Sequence, residues 1–265
     1  MLSHLKIKKR ISKFVLMPGD PERVDLIGKK LKDFKIIGNN REFKTGIGTY
    51  KGLSITICST GIGCPSTAIA TEELIDAGAE YLIRVGTCGG SWRKDIKLGS
   101  VIIPTASIRD EGTTLEYIPQ GFPAVANLDI VSALDKSAKR KKVSAFVGIN
   151  RTHDAFYGSQ ETILRWGKYL NEERWQKMKI DTPILSSEME SAALFVIATL
   201  RDVKAGAIFA VNGNPEPLLE RLKGRKQKVT IEASQKTSEE VVDAMIDVAL
   251  LACVELNKDH KFSPG

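Results

Sequence analysis

The chain reads as a single α/β domain in which a central sheet is flanked by helices. Leu53-Ser54-Ile55-Thr56-Ile57-Cys58 alternates as a strand does and runs into the glycine turn Ser59-Thr60-Gly61-Ile62-Gly63. A helical stretch from Pro65 to Ala79 follows, then the apolar run that begins at Leu82. Strand, glycine turn, helix and strand make a βαβ unit. Other short apolar runs alternate with amphipathic stretches along the 265 residues, with no internal repeat and no linker between them.

Residues 1–13 are polar and basic and read as an arm. Phe14 to Met17 reads as a strand ending on Pro18-Gly19-Asp20-Pro21. Pro21 suits a first helical turn with Asp20 as its cap, and the helix carries Val24, Leu26, Ile27 and Leu31. Residues 34–50 read as strand segments, Val101 to Pro104 as a strand, and 109–127 as a long loop. A helix is expected over 128–142, a strand over 143–149 and a covering excursion over 161–182. Ser186 to Ser191 precedes an apolar helix, Ala192 to Leu200, and Ala205 to Val211 reads as the last strand. Residues 216–236 read as a cationic surface loop, and the closing helix runs from about Ser238 to Leu256.

Composition narrows the function classes. Hydrophobic content of 42% and charged content of 27% are those of a soluble globular protein. Cys58, Cys64, Cys88 and Cys253 show neither C-x-x-C pairing nor metal-type spacing with His4, His153 or His260, so a reducing, cytoplasmic setting without structural zinc is expected. No apolar run approaches the roughly 18 residues that span a bilayer, and no signal peptide is visible. The net charge of +7 would suit nucleic acid or a small anion. Neither Lys139-Arg140-Lys141-Lys142 nor the basic stretch Arg221 to Lys228 has aromatics interleaved for base stacking, which argues against a nucleic-acid partner.

Leu82-Ile83-Arg84-Val85-Gly86-Thr87-Cys88-Gly89-Gly90 carries the chemistry. A charge inside an apolar strand is costly unless something pairs with it. Arg84 therefore demands either a carboxylate elsewhere in the chain or an anionic ligand. Backbone N–H groups and the Thr87 hydroxyl at the strand end suit an oxyanion such as phosphate. Gly61-x-Gly63 has Ser66 where a dinucleotide turn has its third glycine, so a Rossmann cofactor site is weakly supported.

Five segments, in order, resemble the hexameric purine/uridine type of nucleoside phosphorylase: Met17-Pro18-Gly19-Asp20-Pro21-Glu22-Arg23-Val24, Asn40-Arg41-Glu42-Phe43, Ser59 to Thr67, Ile83 to Gly89, and Ser187-Glu188-Met189-Glu190-Ser191-Ala192. The resemblance covers roughly residues 4–256. It implies one phosphorylase/hydrolase-like domain over 1–265, with a mixed, strongly twisted, barrel-like sheet, an arm at 1–13 and a tail at 257–265. It also implies phosphate held by Gly19, Arg23, Arg41, Arg84 and Thr87, and ribose held by His4, Glu188, Met189 and Glu190. Arg84, Thr87 and Glu190 would be the catalytic residues, with His4 and Arg41 reaching in from a neighbouring subunit. A dimer is then the minimal active unit and a hexamer the expected assembly. No organic cofactor is implied; phosphate is a co-substrate, and a potassium ion at Glu42, Ile62 and Ser66 is a further implication.

Phe156-Tyr157-Gly158-Ser159-Gln160-Glu161 resembles the uridine-specific segment, in which Phe156 would stack on the base and Gln160 would bond its amide edge. Two departures bear on the base. Asn212 stands where purine-specific members place a proton-donating aspartate, and an amide cannot give up a proton in that way. Thr162 stands where uridine members carry an arginine, and Arg151, Asn212, a water or another group is open for the missing contact. The expected activity is uridine phosphorolysis. A purine or broad-specificity phosphorylase is the alternative, and a nucleosidase the more remote one.

Overall fold

The computed structural model describes residues 3–7, 10–89, 95–156, 184–212 and 231–259. Ten strands join one mixed sheet. They are β1 (Phe14–Met17), β2 (Lys32–Asn40), β3 (Phe43–Tyr50), β4 (Leu53–Cys58), β5 (Tyr81–Cys88), β6 (Val101–Asp110), β7 (Ala124–Val125), β8 (Ala145–His153), β9 (Ile184–Glu188) and β10 (Lys204–Val211). The order across the sheet is β2-β3-β4-β1-β5-β10-β6-β8-β9, with β7 paired to β6. Helices α1 (Pro21–Gly28), α2 (Cys64–Asp76), α3 (Thr113–Tyr117), α4 (Leu128–Lys141), α5 (Ser191–Leu200) and α6 (Ile231–Asp259) complete the described elements.

β1, β4, β5 and β10 run parallel, and so do β6, β8 and β9, while β10 meets β6 antiparallel. The two groups then meet a second time. The amide of Gly89, just past β5, donates to the carbonyl of Ser187 in β9 at 3.0 Å, and Ser187 donates back at 3.3 Å. That antiparallel bridge curls the sheet into the expected barrel-like form. It also brings the carboxyl ends of β5 and β9 to one place, where a parallel sheet usually offers its ligand crevice.

Local chemistry explains the helix starts. Asp20 caps α1 by accepting from the Glu22 amide at 2.8 Å, and Pro21 opens the first turn. Asn127 caps α4 in the same way, from the amides of Asp129 and Ile130. Ser191 through Ala198 are all buried, so α5 is an internal helix, as its apolar sequence requires.

The structure differs from the sequence reading in several places. Residues 109–127 hold the end of β6, then α3 and β7, where a loop was expected. β6 and β8 both run further than their apolar cores because polar residues face the site at their ends. β9 is a strand the pattern does not announce, and α6 begins at Ile231, inside the expected surface loop. The arm is tied down, with Leu5 and Ile11 buried in the core. The expected excursion at 161–182 and loop at 216–230 lie outside the described residues.

Candidate active site

Arg84 is almost completely enclosed, with 5% of its side chain exposed. Two glycines make the space for it. A Cβ on Gly19 would lie 3.4 Å from Nη2, and one on Gly86 would lie 3.4 Å from Nε. Nη2 pairs with Glu190 Oε2, and Nη1 donates to Thr60 Oγ1 at 3.1 Å. Nε makes no hydrogen bond, although Glu188 Oε2 lies 3.5 Å away. The carboxylate partner that Arg84 demanded is therefore present within the chain. Glu190 supplies it, helped by the amide of Gly63, which donates to Oε1 at 2.8 Å.

Glu188 has a different task. Its Oε1 accepts from Asn150 Nδ2 (2.9 Å), Thr152 Oγ1 (2.6 Å) and Ser191 Oγ (2.7 Å). Its Oε2 accepts from the amides of Glu190 and Ser191, both at 2.9 Å, at the start of α5. Only 2% of the side chain is exposed. Protein donors already occupy both oxygens of Glu188, which the resemblance expected at the ribose. It is the anchor that fixes the β9–α5 turn and holds Met189 and Glu190 in place. The charge at a helix N-terminus is also favourable.

Burial pushes the Glu190 carboxyl upward from its ordinary value; Arg84 opposes that and the neighbouring Glu188 charge adds to it. Arg23, half-buried on α1, is shifted down by burial and further by the Arg84 charge, with Asp20 opposing. Its guanidinium reaches only the Val85 carbonyl, at 3.5 Å, and no carboxylate forms an ion pair with it among the described residues. The two guanidinium charges thus act on one another, and among the described residues only Arg84 has an ion-pair partner.

Other expected residues gather at the same rim. Thr87 is half-buried at the end of β5, opposite Ala210 of β10. Met189 is half-buried, and its carbonyl accepts from the Cys64 thiol at 3.3 Å. Burial, with Glu111 and Glu188 nearby, pushes that thiol well up, so it is a neutral donor. Asn212 is exposed just beyond β10, and Phe156 is exposed after β8. Arg151 is committed to Asp110. Gln160 and Thr162 lie outside the described residues.

His4 and Arg41 are set apart from this centre. Arg41 is exposed at the tip of the β2–β3 hairpin with φ 55°. His4 is held by Glu73 and edge-on to Phe43. Glu42, Ile62 and Ser66 do lie together. Glu42 packs on Gly61, where an added Cβ would be 2.7 Å from its Cγ, and Ser66 Oγ donates to the Ile62 carbonyl at 3.2 Å. The Ile62 side chain is 78% exposed. Thr60, Asn150, Thr152 and Ser191 are contributions that sequence reasoning missed. Thr60 and Ser191 lay inside recognised segments, but Asn150 and Thr152 meet Glu188 from an element with no shared local pattern.

The buried Arg84–Glu190 pair thus crosses the barrel seam, with Arg23 on the helix that follows the Gly19 turn. The chain belongs to the Phosphorylase superfamily, whose sequence pattern matches residues 13–254. It is 41% identical over 212 residues to a uridine phosphorylase of Treponema pallidum, covering 80% of this chain and 81% of that protein. A guanosine phosphorylase of Halorubrum lacusprofundi is 36% identical over 212 residues, covering 80% and 83%. The crystal structure of a uridine phosphorylase from Vibrio fischeri superposes with a TM-score of 0.80 at 29% identity, covering 96% of this chain and 97% of that one.

Proposed function

We propose that the chain catalyses phosphorolysis of uridine, giving uracil and ribose 1-phosphate. The observation that carries this reading is the arginine pair. Arg84 is buried with an Nε that makes no hydrogen bond, and Arg23, whose charge acts on it, forms no ion pair among the described residues. An incoming phosphate would supply the missing negative charge and accept the planar fork of hydrogen bonds that arginine offers. A nucleosidase, which attacks with water, has no anion to justify them.

On this reading Gly19, Arg23, Arg84 and Thr87 hold phosphate, with Arg41 contributed by a second copy. Met189 and Glu190 hold the ribose, and His4 of the second copy meets its 5′-hydroxyl. A phosphate oxygen forms a bond to C1′ as the C1′–N1 bond breaks. The electron pair leaves on uracil, which takes up a proton. Positive charge develops on the sugar, and a carboxylate beside it is stabilising in the transition state. Phe156, Gln160 and Asn212 would flank the base.

The reading extends to nucleoside salvage or catabolism in the cytoplasm, with a dimer as the smallest active unit and a hexamer as the assembly. Among the described residues no helix is long and apolar enough to cross a membrane. Phosphate serves as co-substrate without an organic cofactor. Glu42, the Ile62 carbonyl and Ser66 offer three oxygens beside an exposed apolar side chain. Paired across a two-fold axis they would provide the six that a hard cation such as potassium can use, offsetting one of the two Glu42 charges at that interface.

The relatives also support a second reading, a purine phosphorylase, because a guanosine phosphorylase is nearly as similar as the uridine enzyme. Uridine, inosine, guanosine and adenosine assayed with and without phosphate decide the matter. Phosphate-dependent uracil release with ribose 1-phosphate is expected. Good guanosine or inosine turnover with uridine inert would reverse the order, and free ribose would indicate hydrolysis.

A further inference from the structure

The N-terminal arm is held by one carboxylate, and the way it is held goes beyond anchoring. Glu73, near the end of α2, accepts from the His4 amide at 2.9 Å, the Leu5 amide at 2.9 Å and His4 Nδ1 at 2.8 Å. Asn40 Nδ2 donates to the His4 carbonyl at 2.7 Å. Leu5 is buried, so the backbone bonds and this side chain already fix the arm. The ring bond is extra. It requires a proton on Nδ1, which leaves Nε2 of the neutral imidazole as an acceptor. Nε2 has no hydrogen bond among the described residues, and the His4 side chain is 42% exposed while Glu73 is 13% exposed.

His4 is anchored toward the far end of α2 from Glu190. Glu73 lies ten residues along α2 from Gly63, whose amide holds Glu190, which is about 15 Å at 1.5 Å per residue. A ribose gripped at Glu190 has its 5′-carbon far short of that distance.

We propose that Glu73 is a positioning residue that holds His4 in the Nδ1–H form, presenting Nε2 as the acceptor for a donor at the 5′-position of a nucleoside bound by a second copy of the chain. The inference rests on the phosphorolysis reading above.

The test uses the full-length enzyme, at a pH where imidazole is neutral, with uridine, 5′-deoxyuridine and 5′-amino-5′-deoxyuridine. Wild type should use uridine and the amine comparably and 5′-deoxyuridine about tenfold less well, one hydrogen bond's worth. His4→Ala should bring the first two substrates down to the third. Glu73→Gln keeps an oxygen for the backbone amides but turns an N–H₂ toward Nδ1, so Nε2 becomes a donor. A hydroxyl adapts to that change and an amine does not. The variant should therefore keep most of its uridine activity and lose about tenfold on the amine, and long-range nitrogen-15 spectra should show the ring proton moved to Nε2. Equal losses on all three substrates would reduce Glu73 to a structural anchor and overturn the proposal. An unchanged amine-to-uridine ratio, or a wild type indifferent to the 5′-group, would overturn it too. Failure of wild type to release uracil with phosphate would instead sink the underlying reading, and the nitrogen spectra would still report the tautomer.

Discussion

At Arg84 the cost of burying a charge and the use of that charge meet in one side chain. Alanine at this position would strand two carboxylates in the interior, a loss of about 3–5 kcal/mol that would confuse activity with folding. Arg84→Lys is the cleaner change, since it keeps the charge opposite Glu190 but loses the fork that also reaches Thr60. We expect the fold retained by circular dichroism and kcat/KM for phosphate down by about 10²–10³. Near-wild-type activity would refute the assigned role. Arg84 stood out because a charge interrupting an apolar run is a local signal, whereas Gly19 and Glu190 entered through the family resemblance. The role of Glu188 was not legible, because its assignment depends on Asn150, Thr152 and Ser191. The Glu73–His4 contact, spanning 69 residues of sequence, left no pattern at all.

Among the elements, the segment from β6 to β7 is ordered by more than its short helix and its two-residue pairing with β6. Its glycines and prolines read as loop. Arg109, at the end of β6, threads it together: Nε donates to Thr114 Oγ1, Nη2 to the carbonyls of Thr114 and Ile118, and Nη1 to those of Pro119 and Phe122. One guanidinium thus replaces a ladder of backbone bonds. Arg109→Met should cost about 2 kcal/mol, and the amides of residues 113–125 should exchange with solvent faster while those of α5 keep their protection. Uniform exchange in both segments would show that the arginine is not what orders the turn. The β-strands themselves were mostly legible from alternation. Their ends were not, because polar residues there answer to the site and not to the sheet.

For the molecule as a whole, the basic cluster at the end of α4 proves to be stitching between helices. Lys139 pairs with Asp135, Arg140 with Glu255 of α6, and Lys141 with Asp247 of α6, which Lys30 also reaches. Burial alone would raise the Asp247 carboxyl, but the hydrogen bonds and charges of Lys30 and Lys141 outweigh it and hold the group below its usual value. A depressed folded value stabilises above the unfolded one, near 3.9, and the benefit fades as the carboxylate protonates on acidification. Asp247→Asn should therefore lower stability by about 1 kcal/mol at neutral pH, modest because the group is part-exposed. The gap should close below about pH 4 in urea melts; a pH-independent difference would contradict the assignment. The twisted, closed sheet followed from the family resemblance, whereas the backbone bridge that closes it needed coordinates.

That bridge has a consequence for how such a protein can change over generations. Gly89 and Ser187 close the ring with one pair of amides, and Arg84 and Glu190 cross the same gap a few residues away. The groups that would perform the reaction also clasp the architecture shut. Drift at either position is thus penalised twice, once in turnover and once in assembly of the barrel. Novelty in this lineage has freer routes at the rim, where Phe156 and Asn212 stand exposed at strand ends and can be exchanged without opening the ring.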